Sequence, residues 1–251
     1  FNQKIDFLFI DGAHEKEIFF TSGATESNNL ALFGIARHFK KGHIITSEIE
    51  HPSVLEPCMA LEKEGFKITY LKVGADGIVD PEDVKKSLRP DTILASIVYA
   101  NNKIGTIQPI REIGQIIKDY RLKTKNYGLF FHTDACQASN YLNLKIESLG
   151  VDLLTLNASK IYGPKGVGVL FKKTGVKISP QILGGGHEQG LRSGTPSTPL
   201  IVGLAEALVL TQKMKNYESK RLSELRDYFI QQVLKEIPGS KLNGHSKKRL
   251  P

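Results

Sequence analysis

Seven short apolar stretches, separated by helix-like segments and bounded by turn and cap residues, constrain this chain more than any other feature. "EIFFT" (17–21) leads into a helical pattern over 26–39, and "HIITS" (43–47) into one over 52–64, with His51 at the N-cap and Pro52 at the first helical position. "FKITYL" (66–71) is followed by a "GADG" turn and a short helix that Asp80 caps and Pro81 opens. "TILASIVYA" (92–100) precedes a helix opened by Pro109 and running through Tyr120. "GLFFHTD" (128–134), "DLLTLN" (152–157) and "VGVLF" (167–171) complete the set. Strands that alternate with helices are joined by crossovers, and crossovers put helices on both faces of a parallel sheet. The expectation is an α/β fold: a mainly parallel, seven-stranded type of sheet sandwiched by helices. Ligands in such sheets bind at the carboxyl ends of strands. Thr25, His51, Asn102, Asp134 and Lys160 each follow a strand or open the next helix.

Beyond the glycine-rich "GGGHEQGLRSGT" (184–195) the pattern changes. Leu200, Leu204 and Leu208 repeat at helical spacing, as do Ile201, Ala205 and Val209, and Leu222, Leu225, Phe229 and Val233 continue a stripe. One long helix or two consecutive helices are expected to lead out of the first domain. The expected division is a large domain over 1–210, then a connecting helix and the start of a smaller C-terminal domain over 211–251. The 251 residues suffice for one sizeable core. The first methionine, Met59, falls inside a helical segment, and the chain stops at Pro251 shortly after a strand-like "SKLNG". Both features create the expectation of a piece of a longer protein, without either natural end.

No apolar run reaches membrane-spanning length, and the opening "FNQKIDFLFIDG" lacks a signal-peptide pattern. Two cysteines, Cys58 and Cys136, make no disulfide framework, so a cytoplasmic location is expected. The net charge of +8 gathers partly in "KMKNYESKR" (213–221) and "KKR" (247–249), without interleaved aromatics or a nucleic-acid motif. These stretches read as a solvated helix face and a frayed tail. No nucleic acid, membrane or metal is expected as a partner.

The residues that suggest chemistry sit at strand ends. Lys160 lies in "LNASKIYGPKG" (156–166), between a polar cluster and a glycine-proline loop. A lysine that forms a Schiff base needs such a fixed, partly desolvated setting, although a lone lysine there also reads as a solvated turn residue. Asp134 ends the apolar run of "FFHTDACQASN" (130–140). A carboxylate in that place pairs with a protonated heterocyclic nitrogen or caps a turn. Gln137 could donate to an oxygen on the same ring, and Cys136 reads as a small packed residue. "TSGATESNN" (21–29) sets small residues and hydroxyls where a helix begins, which suits a phosphate or simple N-capping by Thr25. His51 is a cap, or an imidazole that stacks on an aromatic cofactor and moves protons. "YANNKIGTIQPI" (99–110) holds two amides that form a turn or reach a ligand. A ring-nitrogen acid, a Schiff-base lysine, a phosphate cradle and a stacking histidine together suit pyridoxal 5'-phosphate.

Six stretches, "FTSGATESNNLAL" (20–32), "EHPSVLEPC" (50–58), "NNKIGTIQPI", "HTDACQA", "SKIYGPKGVGVL" (159–170) and "GGGHEQGLRSGT", occur in the order found in one family. The chain resembles the cysteine desulfurases, a branch of the class V, fold-type-I pyridoxal-phosphate enzymes. The resemblance implies that Lys160 bonds the cofactor and that Asp134 pairs with its ring nitrogen. It implies that Gln137 donates to the phenolic oxygen, that His51 stacks and shuttles protons, and that Ala24 and Thr25 cradle the phosphate. It places Asn102 near the phenolic oxygen and the substrate carboxylate. Thr195 matches a threonine that reaches the phosphate bound by a partner subunit, which implies a homodimer.

The implied reaction takes L-cysteine to L-alanine and leaves persulfide sulfur for an acceptor protein of iron–sulfur assembly or tRNA thiolation. Asn157 and Ser159 stand where the family usually has a serine and a histidine, and both can give neutral hydrogen bonds to a phosphate. Lys103 stands where the family commonly has a glutamate. The family's catalytic cysteine and substrate-gripping arginine are expected beyond Pro251, so this chain by itself is expected not to transfer sulfur. A selenocysteine lyase, another class V enzyme, or a catalytically silent dimerising scaffold are the alternative readings.

Overall fold

The computed structural model describes residues 12–251; the opening residues read above for a signal peptide lie almost wholly outside that range. Seven strands, β1 (Ile18–Thr21), β2 (His43–Ser47), β3 (Lys67–Leu71), β4 (Thr92–Ser96), β5 (Phe130–Asp134), β6 (Leu153–Asn157) and β7 (Gly168–Lys172), form one sheet in the order β1-β7-β6-β5-β4-β2-β3. β7 is antiparallel to both of its neighbours, and the other pairs are parallel. The return from β6 to β7 is too short for a helical crossover, so β7 must run backwards. The helices are α1 (Ala24–Phe39), α2 (Pro52–Lys63), α3 (Pro81–Ser87), α4 (Ile110–Thr124), α5 (Ile146–Leu149) and α6 (Thr198–Glu236).

Successive strand residues point to opposite faces, so a sheet covered on both sides reads as unbroken apolar runs. On one face Ile44, Leu94, Leu153 and Leu170 pack with Leu30 and Ile35 of α1 and Val54 and Leu61 of α2. On the other, Ile45, Phe131, Leu154 and Val169 pack with Ile113 and Ile117 of α4 and Leu204 and Leu208 of α6.

Three elements differ from expectation: the end of β4, the start and end of α4, and the C-terminal tail. The apolar run 92–100 is regular strand only to Ser96. Ile97 and Tyr99 still donate to the carbonyls of His132 and Asp134, but β2 has ended at Ser47 and the Val98 N–H goes to the Glu50 carboxylate instead. Pro109 is the N-cap of α4 and not its first residue, and α4 runs one turn beyond Tyr120. Of the two arrangements expected after residue 195, the structure has the single long helix, α6, of 39 residues. The basic tail is not frayed: Ile107 donates to the Lys248 carbonyl and Leu250 to the Gly105 carbonyl, each at 2.9 Å, and Leu250 is buried. Backbone pairing holds this segment while Lys247 and Lys248 stay exposed, and Arg249 turns in to donate to the Ile104 carbonyl at 3.2 Å. Among the described residues no helix is long and apolar enough to cross a membrane.

Candidate active site

The carboxyl ends of β1, β2, β4, β5 and β6 surround a cavity of about 230 Å³. Ala24, Thr25, His51, Asn102, Asp134, Gln137, Asn157 and Lys160 all line it, together with Cys136, Val98 and Ala100. Ser159 and Thr195 do not. Ser159 is exposed, and its N–H is 3.4 Å from Asn157 Oδ1. Thr195 lines a separate cavity of about 150 Å³ with Arg192, whose guanidinium pairs with Glu26 at 2.8 Å. A larger cavity, about 540 Å³, lies between α6 and the turn at Tyr162–Pro164. It is lined largely by apolar groups such as Ile161, Leu210 and Met214 and holds no strand-end acid, so the chemistry belongs to the smaller one.

Each wall has a local cause. The turn from β1 into α1 passes through Gly23, whose φ of 153° a side chain rarely allows. β7 presses on that turn at Gly168, where a Cβ would lie 2.6 Å from the Gly23 carbonyl carbon and 3.0 Å from the Ala24 nitrogen. Gly23, not Thr25, is the N-cap, and no side chain caps the helix. Thr25 therefore sits in the first turn, whose N–H groups lack intrahelical partners and suit an anion.

Asp134 is 6% exposed. Its Oδ1 accepts the Cys136 N–H at 3.0 Å and its Oδ2 accepts Asn28 Nδ2 at 2.8 Å. The turn-capping role and the strand-end acid thus coexist, because a carboxylate has lone pairs to spare. His51 is the N-cap of α2 and accepts the Ser53 N–H at 3.1 Å. Lys160 ends a single 3₁₀ turn, Ala158–Lys160, begun by Asn157. Asn140 donates to the Lys160 carbonyl at 2.6 Å. Of the two amides after β4, Asn101 forms the turn, accepting the N–H groups of Lys103 and Ile104 at 2.8 and 3.0 Å. Asn102 is the one that lines the cavity.

Sequence reasoning missed three residues beneath this surface. Glu50 is buried, and burial pushes its carboxyl up to about 8, a rise to which the neighbouring charge of Asp134 adds while Ser47 and the Val98 N–H oppose it. Asn28 and Ser53 are buried and join Asp134 to His51. The available signal was a polar residue on the core face of α1: Asn28 precedes Ala31 and Leu32, both in the core, at helical spacing. Both cysteines are buried. Burial pushes the Cys58 thiol up to about 12 and that of Cys136 well above its ordinary value. Neither is set up as a nucleophile.

A parallel-strand sheet with one inverted strand, and a lysine, an acid, an imidazole and an uncapped helix start at its strand ends, define a class of enzyme scaffold. The chain belongs to the aminotransferase class-V family, whose model matches residues 7–251. It is 51% identical over 242 residues to the cysteine desulfurase IscS of Dictyoglomus turgidum, covering 96% of this chain and 60% of that protein. It is 43% identical over 244 residues to the cysteine desulfurase of Homo sapiens, covering 96% of this chain and 52% of that one. A solved NifS-like protein superposes with a TM-score of 0.85 at 40% identity, over 91% of this chain and 62% of the other. DndA from Streptomyces lividans does so with a TM-score of 0.86 at 34% identity, over 96% and 68%. The chain thus spans between half and two thirds of the length of the curated relatives described here.

Proposed function

We propose that this chain is the cofactor-binding part of a pyridoxal-phosphate-dependent cysteine desulfurase, which takes L-cysteine to L-alanine and leaves the sulfur on an enzyme thiol. One observation carries the reading: the Lys160 amine, the Asp134 carboxylate, the His51 ring and the open start of α1 meet at a single cavity. These groups fit pyridoxal phosphate, which offers an aldehyde to an amine, a ring N–H to a carboxylate and a phosphate to a helix start. When bound, the cofactor supplies an electron sink for bonds broken at the substrate's α-carbon. Asp134 accepts the ring N–H and keeps that nitrogen protonated. Gln137 and Asn102 give amide hydrogens to the phenolic oxygen and the substrate carboxylate. Ala24 and Thr25 would offer N–H groups to the phosphate, with the Asn157 amide on the same cavity wall. Lys160 Nζ would hold the cofactor aldehyde and, as a free amine, would take or return a proton at the substrate carbon. His51, on the cavity wall, would stack on the cofactor ring and present a hydrogen toward the substrate.

Because both cysteines are buried with raised thiols, the sulfur-accepting thiol comes from outside these 251 residues. The reading extends to a cytoplasmic homodimer in which Thr195 reaches the partner's phosphate, to a sulfur-acceptor protein, and to a domain boundary near residue 210. The names of the relatives support the desulfurase reading, and two free thiols among the described residues suit a reducing compartment. Titrating the chain with pyridoxal phosphate, followed by absorbance, tests it. Saturable binding that is lost in Lys160→Ala and weakened roughly tenfold or more in Asp134→Ala is expected, since a hydrogen bond to a charged group is worth about 1.5–3 kcal/mol. Binding indifferent to both substitutions would refute the assignment.

A further inference from the structure

The Asn28 amide and the Ser53 hydroxyl lie between the Asp134 carboxylate and the His51 ring. Asn28 is fully buried on α1. Its Nδ2 carries two hydrogens and spends both: one goes to Asp134 Oδ2 and one to Ser53 Oγ, each at 2.8 Å. The carboxylate fixes this orientation, because a flipped amide would set oxygen against oxygen. Asn28 Oδ1 is buried without a partner, which shows that the site keeps the two donor contacts at the expense of the acceptor.

Ser53 Oγ, having accepted from Asn28, has one hydrogen to give, and His51 Nδ1 stands 2.8 Å away. The Ser53 N–H points at the same nitrogen from 3.1 Å. Nδ1 therefore meets two donors and must present its lone pair. A neutral imidazole with its lone pair on Nδ1 carries its hydrogen on Nε2.

We propose that Asn28 is a positioning residue that ties Asp134 to His51 through Ser53 and holds the neutral His51 ring as the Nε2–H tautomer. In that state the ring is a hydrogen-bond donor at Nε2, and proton abstraction from the substrate falls to Lys160. This last consequence rests on the function proposed above; the tautomer does not.

The test is long-range proton–nitrogen NMR of the 251-residue chain with isotope-labelled histidine rings, the His51 signal being assigned by its loss in His51→Gln. The expected wild-type neutral ring carries its hydrogen on Nε2. Asn28→Ala removes the donor that orients the Ser53 hydroxyl with its hydrogen toward Nδ1, frees that hydroxyl to turn its lone pairs to the ring, and raises the Nδ1–H share roughly fivefold, the worth of about one hydrogen bond. Ser53→Ala shifts the ratio the same way, whereas Ser53→Thr, which keeps a hydroxyl, stays at the wild-type ratio. A wild-type ring protonated on Nδ1, or an unchanged ratio in a folded Asn28→Ala, overturns the proposal. If Asn28→Ala does not fold, the Ser53 pair decides: a difference between alanine and threonine supports the relay, and equal ratios overturn it. No cofactor is needed, so failure here is distinct from failure to bind pyridoxal phosphate.

Discussion

Replacing Glu50 with glutamine removes a carboxyl group that the fold keeps out of water. Oε1 receives the Ser47 hydroxyl hydrogen and the Val98 N–H, while Oε2 is buried with no partner. Glutamine keeps the accepting oxygen and cannot ionise. In the native state the Glu50 carboxyl is raised from an ordinary 4.5 to about 8, first by burial and further by Asp134. The folded protein therefore binds this proton more tightly than the unfolded chain. Stability from this group is complete below the unfolded value and is lost as pH rises toward the folded one. At about 1.4 kcal/mol per pH unit, the loss between about pH 5 and about pH 8 is on the order of 3 kcal/mol. That is a sizeable part of the 5–15 kcal/mol typical of a domain. His43 and His132 are held neutral by burial, each lowered to about 4, and add an opposite slope on the acid side. Both proteins share those histidines, so the difference between wild type and Glu50→Gln isolates Glu50. The assay is the urea midpoint of each at the two pH values. Wild type should lose several kcal/mol more than the variant across that range. An equal fall in both would refute the reasoning, because Glu50 would then be ionised at no cost or solvated.

Gly168→Ala puts a Cβ into the Gly23 turn and should cost about 1–3 kcal/mol by urea unfolding, with weakened cofactor binding; an unchanged midpoint would mean that β7 and α1 do not press together. Thiol reagents at neutral pH should label neither Cys58 nor Cys136 in the native chain and both in urea, since burial holds both thiols protonated; rapid native labelling of Cys136 would contradict that.

The strand and helix alternation was legible because every strand but the edge strand β3 is largely buried and reads as an apolar run. The end of β4 was not, since the run continues to Ala100 while Glu50, 48 residues from Val98 in the chain, takes over the hydrogen-bonding position. The docking of residues 245–250 left no trace in a basic, polar segment because most of its hydrogen bonds use backbone groups, with Leu250 the one apolar side chain it buries. At the site, Lys160, Asp134 and His51 were readable from their places after strands, and the cavity gathers them. Thr25 was misplaced as a cap because Gly23 starts α1 by backbone geometry, which side-chain chemistry does not announce. Asn28, Ser53 and Glu50 act through contacts with residues distant in sequence, and no local pattern encodes those.

The central claim is that Lys160 carries the cofactor. Incubating the chain with pyridoxal phosphate, reducing with borohydride and mapping the labelled peptide tests it directly. The expected result is one pyridoxyl group per chain, on Lys160 and not Lys165 within "NASKIYGPK", and none in Lys160→Ala. Label on another lysine, or spread evenly over surface lysines in both proteins, would contradict it.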